Sequence, residues 1–159
     1  MAVGHWVTNR GKLLLAQGVW DDGAGTVIRS GLLVGTQPAG LDTEAEVQDI
    51  STVAALLTTG TGLATECTLA GYARQNLTRT AVAQDDTNNW ADADASDISY
   101  GALPAGQTLI GQFFYDATTD TNDGTRQLIS VEWFANLPTG YPTNGGVFST
   151  PIADIYRFV

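Results

Sequence analysis

The 159-residue chain is poor in the residues that most enzymes use. It has one histidine (His5), one cysteine (Cys67), one methionine, and seven Lys+Arg against 17 Asp+Glu, for a net charge of −10. A single cysteine excludes an intrachain disulfide framework and any zinc site built from several thiolates. The shortage of basic residues argues against nucleic acid and against anionic membranes as partners, because both recruit Lys and Arg. The longest apolar run of the N-terminal region, Leu13-Leu14-Leu15-Ala16, is too short for a signal h-region, and no stretch reaches the length of a membrane-spanning helix. Synthesis and maturation in the cytoplasm are therefore expected. What the chain does have is 43% hydrophobic residues, 18 glycines, and four Trp, five Tyr and five Phe. That composition argues against disorder, and a chain of this length buries roughly 70% of its unfolded surface in one domain.

Strand signals dominate. Lys12–Trp20 and Thr26–Gly35 read as a first hairpin around the Asp21-Asp22-Gly23-Ala24-Gly25 turn cluster. Leu69–Ala83 reads as one long strand or two short ones, and Ile98–Tyr100 as a short strand. Gln107–Tyr115 and Arg126–Ala135 form the clearest hairpin. In its second strand Leu128, Ser130, Glu132 and Phe134 should face one way, and Ile129, Val131 and Trp133 the other, which makes Trp133 a core residue packed with Phe113 or Phe114. Ile152–Val159 is expected to close the sheet. One helix is predicted, over 44–59. Val47, Ile50, Val53, Ala54 and Leu57 recur at spacings of three and four, Thr43 and Glu46 match a capping box, and Gly60 and Gly62 stop it. Leu56 falls off this stripe. Many strands separated by Gly, Pro and Asp turns indicate a mainly β chain: an antiparallel β-sandwich or jelly-roll-like single domain over 11–159, preceded by residues 1–10 as an N-terminal arm.

No catalytic constellation emerges. A triad would have to use His5, close to a chain end that tends to fray. Asp116, Asp120, Asn122, Asp123 and Gly124 invite a calcium reading, yet an EF-hand register ending at Gly124 would put Thr119 and Thr121 at ligand positions and Ser130 where a carboxylate is required. Nothing singles out one carboxylate pair for glycoside hydrolysis, and Gly60-Thr61-Gly62 lacks the lysine of a phosphate loop. No catalytic residue, metal or cofactor is expected. Cys67 reads as a small apolar residue or an exposed bystander.

The order of motifs carries more. A helix containing Ile50-Ser51-Thr52-Val53-Ala54-Ala55-Leu56-Leu57 precedes Gly71-Tyr72-Ala73-Arg74-Gln75-Asn76-Leu77-Thr78. Then come Asp85-Asp86-Thr87-Asn88, Gly111-Gln112-Phe113-Phe114-Tyr115-Asp116, and finally Pro142-Thr143-Asn144-Gly145-Gly146. In these motifs the chain resembles a group of small tailed-phage virion proteins of the capsid decoration (cement) type. The resemblance implies a non-enzymatic structural protein, bound to the major capsid protein on the capsid exterior. It brings no active-site residues. Such a protein works by binding the assembled shell more tightly than its separated subunits. It needs interface anchors, for which His5, Trp6, Val7, Trp20 and Trp90 are the aromatic and apolar candidates, with Arg74 and Arg79 as charged ones. A homo-oligomer is expected, with a trimer preferred because it matches local three-fold positions of a capsid lattice. A neck, tail or fibre component and a carbohydrate-binding attachment module are the competing readings.

Overall fold

The computed structural model describes residues 2–20, 25–57, 63–79, 83–86, 90–93, 95–135, 137–151 and 156–158. The chain is mainly β and antiparallel, as its sequence predicts. The principal sheet contains β1 (Ala2–Val7), β2 (Ile28–Val34), β3 (Thr65–Glu66), β4 (Gln75–Asn76), β8 (Thr108–Asp116), β9 (Leu128–Phe134) and β10 (Tyr141–Pro142). Its order is β1-β9-β8-β2-β3, with β4 also on β2 and β10 on β8. Two smaller sheets pair β7 (Ile98–Ala102) with β11 (Val147–Thr150), and β5 (Ala83–Asp85) and β12 (Tyr156–Phe158) with β6 (Trp90–Ala93).

The central strands β8 and β9 are buried almost throughout, so both faces of the principal sheet are covered. One core cluster joins Ile28, Leu32, Phe114, Ile129 and Phe134 to Tyr100 and Ile98 of β7 and to Leu14 and Trp20. The other joins Leu33, Ile110, Phe113, Val131 and Trp133 to Leu41, Val47, Val53 and Leu56. Trp133, at 1% exposure, is the core residue its sequence position predicts.

Two β-bulges set which side chain enters which core. The register passes from Phe114↔Ser130 to Tyr115↔Leu128, so Ile129 is an extra residue on β9. It also passes from Leu33↔Gly111 to Val34↔Leu109, which makes Ile110 the extra residue on β8. An inserted residue breaks the two-residue period and re-aims its neighbours. The strict alternation expected for β9 is corrected accordingly. Leu128 joins Val131 and Trp133, while Ile129 joins Phe134.

Three further expectations are corrected. Residues 9–16 form a helix, α1 (Asn9–Ala16), so no first hairpin pairs 12–20 with 26–35. Thr8 caps it: its hydroxyl oxygen accepts the Gly11 N–H at 2.8 Å, and the same hydroxyl donates to the Leu128 carbonyl at 2.7 Å. The Thr8 N–H donates to the Ile129 carbonyl at 3.0 Å, so the helix start is fastened onto the β9 bulge. Secondly, the segment read as an N-terminal arm lies in the sheet, because β1 pairs with β9 from Ala2↔Phe134 to Val7↔Ser130. Thirdly, the predicted 44–59 helix is two short ones, α2 (Glu44–Val47) and α3 (Val53–Leu57). The break is held from outside: Leu128 N–H donates to the Ser51 carbonyl and Val53 N–H to the Arg126 carbonyl, and Thr52 bridges to Gln127. Turning the second helix relative to the first brings Leu56 into the core, fully buried, although it lies off the single-helix stripe. The start is as expected, with Glu46 accepting the Thr43 N–H at 3.1 Å.

A candidate binding cleft and the charged clamp

The residues of the Gly71–Thr78 motif fasten the open edge of β2. That edge is bordered by β3 at Leu33 and Val34 and by β4 at Arg29 and Ser30, which leaves a gap at Gly31 and Leu32. Across the gap the Leu32 carbonyl accepts the Cys67 N–H, and the Leu32 N–H donates to the Tyr72 hydroxyl at 2.9 Å. A phenol oxygen thus stands where a ladder carbonyl would be. The Tyr72 hydroxyl donates in turn to Glu66 at 2.8 Å. Burial and the neighbouring Glu66 push the Tyr72 phenol well above its ordinary range. Cys67 is buried, and burial pushes its thiol up as well.

Glu66 is also one arm of a charged clamp. The Arg74 guanidinium forms two bonds of 2.7 Å to Glu66 and two of 2.7 Å to Asp123. It lies over the rings of Phe113 and Tyr115, 5.3 and 5.1 Å from their centroids. Arg126 adds a third bond to Asp123, at 2.8 Å, and its guanidinium lies 5.4 Å from the Tyr115 centroid. The guanidinium of Arg74 and then that of Arg126 hold the Asp123 carboxyl below its ordinary range. Asp123, considered from sequence as a calcium ligand, thus faces two arginines. Among the described residues no group of three or more His, Cys, Asp and Glu is placed to share a cation.

The other candidate anchors are placed as follows. Trp20 is 4% exposed and packs in the core. Arg79 donates to the carbonyls of Val19, Trp20 and Thr26 at 2.6 to 2.7 Å. Trp20, Arg74 and Arg79 are therefore committed within the chain rather than presented to a partner, because each finds apolar or polar complements on neighbouring segments. Trp6 and Val7 are half-buried on β1, packed against opposite cores. Trp90 is on β6, and its side chain lies outside the described residues.

His5, opposite Glu132 across β1 and β9, stacks on Phe114 with ring centroids 6.0 Å apart. Burial lowers its pKa from 6.5 to about 4. The neutral ring is therefore the form the fold prefers. The resulting stability is fully present above pH 6.5 and is lost as pH falls from there through about 4. Glu132, raised by burial, acts in the opposite sense over acidic pH. Urea unfolding at pH 7 and pH 4.5 should show His5→Phe retaining about 2 kcal/mol more of its stability than the natural chain over that interval. Equal losses in the two proteins would remove His5 as the source.

Near His5, an open cleft of about 240 Å³ is bordered by Glu132 and Phe134 of β9, Tyr141 of β10, and Phe148 and Thr150 of β11. The sequence places Glu132 and Phe134 on one face of their strand but marks none of the cleft residues as functional. The available signal was Glu132, the only charged residue in Leu128–Phe134. Phe134 meets Tyr141 edge-on at 5.8 Å and Phe148 at 5.8 Å, and Tyr141 and Phe148 are 6.4 Å apart, so the three rings form one wall. A buried polar chain leads to the acid. Gln112 Oε1 accepts from the Tyr100 hydroxyl at 3.2 Å and from the Thr150 hydroxyl at 3.0 Å, which aims Nε2 at Glu132 Oε2, 2.5 Å away. With Tyr100 donating to Gln112, the 2.6 Å contact between Ser30 and Tyr100 has Ser30 as donor. Every proton in this chain points toward the carboxylate. Burial, opposed by the Gln112 bond, raises the Glu132 pKa.

The cleft is lined by one acid, Glu132, and by the hydroxyl residues Ser149 and Thr150. No protein-family model, curated protein or solved structure matches the chain.

Proposed function

We propose that the chain is a non-enzymatic phage virion structural protein that decorates the capsid exterior and stabilises the shell by binding across subunits of the major capsid protein. It is made in the host cytoplasm and acts as a homo-oligomer, with a trimer preferred. The observation that carries this reading is what the most specific motif residues do. Tyr72 and Arg74 close a sheet edge and clamp loops together. Thr143 is tied to the backbone of Gln107, and Asn144 accepts the Gly146 N–H. A motif set devoted to holding loops in place supports a rigid structural component rather than a catalyst. A cement protein gains its effect from interface area that must be broken before shell subunits separate. Surface for such contacts is available at the sheet edge β1 and at Leu13, Val27, Tyr141 and Val147, which are 36–70% exposed. The net charge of −10 suits an outward face, away from packaged DNA.

The test is co-sedimentation of purified protein with expanded capsids, together with heat release of DNA from virions that lack it. Saturable binding and earlier DNA release from the deficient virions are expected. Absence of binding, with unchanged heat resistance, would overturn the proposal. Copy number separates the neighbouring possibility of a neck, tail or fibre part, which would be present in a few or a ring-like number of copies.

A further inference from the structure

We propose that the cleft between β9, β10 and β11 receives an arginine side chain projecting from a protein partner, with Glu132 as its carboxylate acceptor and Phe134, Tyr141 and Phe148 as its aromatic wall. The inference rests on the chemistry of the cleft and stands independently of which assembly the chain joins.

The argument begins with a comparison inside the molecule. At the clamp, a guanidinium is held by carboxylates in its plane and by the faces of two aromatic rings. The cleft offers a related acceptor set in open form, with one carboxylate and three mutually packed rings in its lining. Every described basic side chain is committed elsewhere. Arg10 bonds Gln127, Lys12 pairs with Glu44, Arg29 bonds Asn76, and Arg74, Arg79 and Arg126 are engaged as described above. The Arg157 side chain lies outside the described residues; none of the other basic side chains fills the cleft, and the occupant is sought in another molecule.

Charge and geometry choose its chemistry. A carboxylate withdrawn from water is costly unless a cation or several donors compensate it. Glu132 has Gln112 Nε2 as side-chain donor and the charge of the chain's amino terminus acting on it, and burial outweighs both. The Ser30–Tyr100–Gln112 chain orients the amide so that the acid remains an acceptor. A guanidinium supplies planar, paired N–H donors to a carboxylate and stacks on aromatic faces, which an ammonium does less well. The Thr150 hydroxyl is spent on Gln112, so Glu132 is the strong acceptor left in the cleft.

The experiment uses N-acetyl-arginine methylamide as probe, followed by amide chemical-shift titration of the full chain. N-acetyl-citrulline methylamide is the uncharged isostere, the lysine analogue is a second cation, and methyl glycosides represent sugar ligands. Saturable shifts at Tyr141, Ser149 and Thr150 are expected with the arginine probe, with citrulline at least about tenfold weaker and lysine intermediate. Glu132→Gln keeps the size of the side chain and should weaken the arginine probe by about tenfold or more. Its own amide spectrum reports that it is folded. Tyr141→Ala, at a partly exposed position, is the second variant and should also weaken binding. Equal affinity for arginine and citrulline, an unchanged Glu132→Gln, no saturable shift at the cleft, or binding of the glycosides alone would each overturn the proposal.

Discussion

Gly11→Ala is expected to destabilise the protein by about 3 kcal/mol, although alanine is the better helix former by about 1 kcal/mol. The reason is contact rather than conformation. A Cβ on Gly11 would stand 2.1 Å from the carbonyl oxygen of Ile129 and 2.9 Å from its carbon. That carbonyl belongs to the β9 bulge and accepts the Thr8 N–H. Moving α1 away would stretch the Thr8 bonds, while moving β9 would disturb its ladders to β1 and β8. Neither partner is the flexible end of a side chain, so the clash is relieved only by backbone displacement in a close-packed region. Thermal unfolding should fall by roughly 6–12 °C. Gly40→Ala is the control, because its φ of −91° is open to any residue and nothing lies within 4 Å of the added Cβ. A Gly11→Ala protein as stable as the Gly40→Ala protein would show that α1 does not seat on the bulge.

Arg74→Met should cost about 3 kcal/mol, less than the loss of a partner from a fully sealed ion pair because the carboxylates retain some solvent. Methionine preserves part of the apolar contact with Phe113 and Tyr115, so the loss reports mainly the bonds to Glu66 and Asp123. Arg74→Lys should recover less than half of it, since a single ammonium cannot serve two carboxylates in the fork geometry that a guanidinium offers. The clamp also has a pH signature. Asp123 is held below its ordinary range by its arginines, so the stability it contributes is present above the unfolded value near 3.8 and is lost as pH falls through the lower folded value. Arg74→Met should shrink that acid-limb loss relative to the natural chain, as read by urea midpoints between pH 5 and about 2. Lysine restoring full stability would mean that net charge, and not the fork, holds the loops.

The two variants probe features that differ in how visible they are in the sequence. The β8–β9 hairpin is legible because alternation and a long turn cluster are local, and Trp133 follows from it. Thr43 and Glu46 announce the start of α2 by their spacing. The helical α1 is less visible, since Leu13-Leu14-Leu15 fits a strand as readily as a helix. Its decisive signal is the Thr8 cap, whose hydroxyl is shared between Gly11 and the distant Leu128 carbonyl. Trp20, Arg74 and Arg79 read as surface anchors because a sequence shows their chemistry but not their partners.

The sequence by itself determined the mainly β, antiparallel class, the principal hairpin, the net negative charge and the lack of residues for a site built from several thiolates or several histidines. Those follow from composition and short-range pattern. Tertiary structure alone decided the bulges at Ile110 and Ile129, the break between α2 and α3, the clamp of Arg74 and the cleft around Glu132. Each of these joins residues tens of positions apart. Their energies come from contacts that exist only once the strands are in register, and a period of two or of 3.6 carries no record of them.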